Sequence, residues 1–185
     1  MGLLELIKAG INAITGGIFK IEVVKFSSLP TTLDELKAMP EASLTNEYNV
    51  AALAVAVLNN YEKDPEETYR MMEFLGGPKQ QTAIDKQFIR DRLKDHSYVM
   101  RSYFKGATPE NDYAVSAPYY VEVSEQNNNS RTEEGYVKLF IKSSGADSAR
   151  PITLRKKPST GQWFVWQPTS LLTDVRKPSG SNPWN

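Results

Sequence analysis

Cysteine is absent from this chain of 185 residues. That one absence excludes disulfides, thiolate nucleophiles, cysteine-held iron–sulfur clusters and the common structural zinc sites. Histidine occurs once, at His96, so a histidine-rich metal site or a pair of imidazole acid–base groups cannot form. Charge of one sign is missing as well: 22 basic and 22 acidic residues cancel, which leaves no global field to draw the protein onto nucleic acid or an anionic bilayer. Long apolar runs are also lacking. The longest, Val50 to Leu58, is less than half of the roughly 20 residues a membrane span needs. The opening residues Met1 to Lys8 have no basic start, and Glu5 and Lys8 interrupt their apolar stretch; a signal peptide is not expected. Leu6 stands where myristoylation of Gly2 would want Ser or Thr. The expected location is cytoplasmic.

The remainder has the composition of a folding chain. With 40% hydrophobic and 24% charged residues it lies far from the polar balance that keeps chains disordered, and its length suits one domain spanning 1–185. Residues 1–28 read as a helix and a strand. Leu3, Leu4, Ile7, Ile11 and Ile14 share one helical face before Gly16-Gly17 stops the pattern. Lys8 alone is basic there, fewer than interfacial helices carry, so the expected cover is protein, in the same chain or a homodimer, and a membrane is the less favoured alternative. Ile18 to Phe26 reads as a strand with an irregularity at Val23-Val24 that must pair with a later sheet.

Residues 29–97 form a helical block. Thr32-Leu33-Asp34-Glu35 has the form of a capping box, and Pro40 limits that helix. Ser43 to Tyr61 reads as the central helix because Val50 to Leu58 is apolar on every side. Asp64-Pro65-Glu66-Glu67 starts another helix, and Gly76-Gly77-Pro78 stops it. A last helix, Thr82 to Asp95, is expected to turn Ile84, Phe88, Ile89 and Leu93 inward, with His96 closing its end. Residues 98–118 are a connection. From 119 to 176 the period becomes two, with strands at 119–124, 136–141, 152–156 and 162–166 and a hairpin turn at Pro158 to Gly161. A tail of Pro, Ser and Gly follows at 177–185. The fold expected is α+β: a helical block packed on a mostly antiparallel sheet of about five strands. A cone-shaped sheet enclosing a pocket, as in folds resembling nuclear transport factor 2, is a variant.

Chemistry is harder to find. There is no G-x-S-x-G elbow, phosphate loop, G-x-G-x-x-G or H-E-x-x-H. Glu110, Asp112, Glu133, Glu134 and Asp147 fall in loops where two could converge as general acid and base, but spacing does not show convergence. Arg155-Lys156-Lys157 beside Trp163 and Trp166 has the basic and stacking groups of a nucleic-acid surface; zero net charge favours a charged hairpin end with the tryptophans in the core, and no nucleic-acid partner is expected. The densest unusual stretch is Tyr98 to Asn111. With the hydroxyl-rich loop Ser143 to Pro151 it supplies the candidate binding residues Arg101, Tyr103, Ser144, Asp147 and Arg150. No catalytic residue, metal ligand or cofactor is assigned.

At these residues the chain resembles a family of bacterial proteins of unknown function found largely among gut Firmicutes. The likeness rests on Arg101-Ser102-Tyr103-Phe104 with Gly106 to Asn111, on Ser143 to Ser148 with Arg150-Pro151, and on Lys157 to Trp163. It spans roughly Leu29 to Trp184. The resemblance implies no activity, ligand or catalytic residue. The expected function is a non-catalytic binding or interaction protein, with a metal-independent hydrolase or isomerase using loop carboxylates, with Arg101 or His96, as the alternative.

Overall fold

The computed structural model describes residues 18–126, 128–181 and 183–184. The helix expected over residues 3 to 14, and the dimer contact expected through it, lie outside the described residues. Five strands form one antiparallel sheet in the order β1-β2-β3-β4-β5: β1 Ile18–Phe26, β2 Tyr119–Gln126, β3 Tyr136–Ile141, β4 Arg150–Lys157 and β5 Gln162–Gln167. The period-two segments account for the last four. β1 closes the edge against β2, with Val24 opposite Val121 and Phe26 opposite Tyr119, although the whole helical block separates them in the chain. Its irregularity falls between Ile18 and Lys20, earlier than the Val23-Val24 step expected.

The helices lie between β1 and β2 along the chain: α1 Leu33–Ala38, α2 Glu47–Leu58, α3 Pro65–Gly76, α4 Ala83–Leu93 and the short α5 Tyr98–Arg101. Their starts follow local chemistry. Thr32 accepts from the Glu35 amide, Asn46 from Tyr48 and Asn49, Asp64 from Glu67, and Thr82 with Asp85 makes a reciprocal capping box. Each cap satisfies amides that a helix start otherwise leaves without partners.

The helix α2 is the centre of the core. Every residue from Val50 to Leu58 is buried, because α2 lies against all five strands on one side and against α3 on another. The strands turn Val121, Val123, Leu139, Ile141, Ile152 and Leu154 onto it, all buried. The helix α2 fills this face of the sheet. The architecture is α+β, as the segregation of periods predicts.

Two differences from expectation bear on function. In α4 only Ile89 and Leu93 are buried, while Ile84 is 78% exposed. The helix docks through its second half, and its first turn stands over a groove. The connection 98–118 is also more regular than its composition suggests. Phe104 bridges to Val121, and the Lys105 amide donates to the Tyr120 carbonyl at 2.9 Å, so it extends the sheet beside β2 where β3 does not reach.

Candidate functional site

The two stretches singled out from sequence do meet. The Ser102 and Ser143 hydroxyls lie 2.7 Å apart, the Ser144 amide donates to the Ser102 carbonyl at 3.0 Å, and the Ser144 hydroxyl donates to the Ala107 carbonyl at 2.5 Å. Gly145 permits the approach: a Cβ there would sit 2.2 Å from the Tyr113 hydroxyl oxygen. Tyr103 is buried and donates to the Leu171 carbonyl at 2.9 Å; burial holds its phenol above the ordinary value, and the nearby Arg150 charge offsets this only in part. Arg150 donates from Nη2 to the Asp174 carbonyl at 3.2 Å. Asp147, on the surface, is paired with Arg176 at 2.7 Å. Arg101 ends α5 and is half-buried. The polar atoms of Tyr103 and Ser144 are thus engaged with backbone, and the bonds of this region tie the connection and the chain after β5 to the sheet.

The carboxylates considered for acid–base work have separate settings. Asp112 accepts from the Gly180 amide at 2.8 Å, while Glu110, Glu133 and Glu134 are exposed. Among the described residues no three of His, Asp and Glu are grouped closely enough to hold a metal ion. The His96 imidazole sits 2.8 Å from the Lys94 carbonyl at the end of α4, the closing role expected of it.

Arg150 Nε is buried without a hydrogen-bond partner, and a second region has such an atom as well. Between α4, the segment 77–82 and the end of β5 lies a cavity of about 200 Å³ walled by Met72, Ile84, Phe88, Val165 and Leu172. Gln81 borders it, and the Gln81 Oε1 atom is buried with no hydrogen-bond partner. The carboxylate beside it, Asp85, accepts from the Thr82 amide and hydroxyl, each at 2.8 Å. The Thr82 amide is the main cause that holds the Asp85 carboxyl below its ordinary range.

Adjoining it is a second cavity of about 270 Å³, bordered by Phe164, Lys79, Arg155, Lys156 and Lys157. Trp166 borders both cavities. Lys79 Nζ lies 4.8 Å from the centre of the indole and donates to the Trp166 carbonyl at 2.6 Å. The Arg155 guanidinium also lies 4.8 Å from that ring, and 5.3 Å from Tyr136. Both contacts are cation–π geometry. Strand alternation produces this: Arg155 and Lys157 share with Phe164 and Trp166 the sheet face opposite α2, while Trp163 and Val165 turn inward and are buried. Sequence reading placed both tryptophans in the core; only Trp163 is there.

Over residues 28–179 the chain matches the family described as a domain of unknown function (DUF6935). The chain belongs to this family. The DUF6935 stretch contains every residue that borders the two cavities, whereas β1, which forms the sheet's edge and buries Val24 and Phe26, precedes it. No curated protein and no solved structure matches the chain. The domain of unknown function expected over roughly Leu29 to Trp184 is matched over residues 28–179. The sequence signals only one side of this groove, the basic and aromatic hairpin end with Arg155, Lys157 and Trp166; Lys79, Gln81 and Phe88 lie on other segments with no shared motif, and Ile84, expected to face inward, is exposed.

Proposed function

We propose that this protein is a non-catalytic binding protein of the bacterial cytoplasm, a setting suited to a cysteine-free chain, and that its ligand carries an apolar body seated between α4 and the end of β5. The observation that carries this reading is the groove itself, whose walls are apolar and over whose mouth the large side chain of Ile84 stands exposed. Apolar wall left in water forgoes roughly 25 cal/mol per Å². A ligand that covers the walls recovers this. The loop carboxylates on which the hydrolase or isomerase alternative relied do not border the groove; Asp85 does, and its Oδ2 accepts from the Thr82 amide and hydroxyl.

The test is titration with N-phenyl-1-naphthylamine, a neutral apolar fluorophore. Wild type is expected to bind it, and Ile84→Asp to weaken binding at least tenfold. Because Ile84 is exposed, that substitution should leave stability within about 0.5 kcal/mol. No enhancement with wild type, or equal enhancement with both proteins, rejects the groove as the site.

A further inference from the structure

Lys79, Arg155 and Lys157 gather at one end of this groove, while Lys156, which also borders it, holds its ammonium 5.5 Å from the ring of the inward-facing Trp163. Among the described residues none of Lys79, Arg155, Lys156 or Lys157 forms an ion pair with a carboxylate, although the chain as a whole has as many acids as bases. In a neutral protein such a cluster concentrates positive potential locally, and its members repel one another. The carboxylate bordering the groove, Asp85, accepts from Thr82 through Oδ2 and feels the charge of Lys79, and no acidic residue borders the part lined by Arg155 and Lys157. Beside these cations the walls are aromatic, Phe164 and Trp166, and beyond Trp166 they are mainly aliphatic, with Phe88 among them. Lys79 and Arg155 are held against the indole at 4.8 Å, so two of the cations are positioned before any ligand arrives.

Resting on the groove reading, we infer that the ligand is a small amphipathic anion, an aromatic or aliphatic body with one carboxylate, sulfonate or phosphate group. The body lies over Met72, Ile84 and Phe88. The anionic group lies beyond Trp166, where the planar fork of Arg155 can donate two parallel hydrogen bonds and Lys157 supplies a point charge. A purely apolar ligand would leave the cations unused, and a polyanion such as nucleic acid would leave the aliphatic half of the groove bare.

A matched pair of probes separates the two ideas. The probe 1-anilinonaphthalene-8-sulfonate is N-phenyl-1-naphthylamine with a sulfonate added. The expected result is that wild type binds the sulfonate at least tenfold more tightly than the neutral compound, with the preference shrinking as salt rises. In the double variant Arg155→Gln, Lys157→Gln the ratio of affinities should fall to about one, while Arg155→Lys retains part of it. Thermal unfolding of each variant checks that the probes report on folded protein. Equal affinities in wild type, or a preference that survives in the double variant, overturn the anion assignment while leaving the groove in place. Failure of both probes to bind overturns both readings.

Discussion

Glu125 is a buried charge whose burial works against it. The carboxylate is 5% exposed, yet Tyr48 donates to its Oε2 at 2.5 Å and Arg131 Nε to its Oε1 at 2.5 Å, while Arg131 also reaches Glu47 at 2.6 Å. Burial raises the Glu125 pKa, the hydrogen bonds from Arg131 and Tyr48 lower it, and the net displacement is downward. A carboxyl depressed in the folded state contributes stability above its unfolded value, about 4.3, and that contribution is lost as pH falls through the folded value. Urea unfolding between pH 7 and pH 3 should therefore show stability declining at the acid end, and Glu125→Gln should flatten that decline; an unchanged slope would assign the acid sensitivity elsewhere. Leu53 presents the simpler case. It is fully buried on α2, so Leu53→Ala should cost about 2–5 kcal/mol in equilibrium unfolding, and a loss below about 0.5 kcal/mol would contradict its central place.

The element that shapes the groove is α4 with the turn before it. Gly77 follows α3 with φ of 57° and ψ of −122°, a backbone state open in practice only to glycine. A Cβ there would also sit 2.3 Å from a ring carbon of Phe164. Gly77→Ala should destabilise by about 1–3 kcal/mol from backbone strain alone, with Phe164 displaced as well; circular dichroism melting measures the first and probe binding the second. Thr82→Ala removes the side chain of the capping box that starts α4 and should cost about 1 kcal/mol, seen as a lower melting temperature with the rest of the fold kept. The stop at Gly76-Gly77-Pro78 is legible in the sequence because glycine and proline interrupt any helix. That the glycine also makes room for an aromatic ring from β5 is not, since Phe164 lies far along the chain and reaches the turn only through the hairpin.

At the scale of the molecule, stability rests on one continuous buried cluster running from β1 through α2 to the chain after β5. With no cysteine in the chain and no acidic or histidine cluster among the described residues, EDTA should leave the melting temperature unchanged. A drop reversed by one divalent ion would reveal an oxygen-ligated site. No helix among the described residues is long and apolar enough to cross a membrane.

Local chemistry settled much of this protein before any tertiary contact formed. The caps at Thr32 and Asp64, the all-round apolar character of Val50 to Leu58 and the change of period after Tyr119 are properties of neighbouring residues, and from them follow the helices, the strands and the α+β order. What only the tertiary structure decided depends on residues far apart in the chain. The pairing of β1 with β2 across the helical block, the half-docking of α4 that leaves Ile84 in water, and the gathering of Lys79, Arg155 and Lys157 around Trp166 each require three-dimensional closure. Strand alternation reveals which side chains share a face but not whether that face is covered, and coverage is what separates the buried Trp163 from Trp166 at the mouth of the groove.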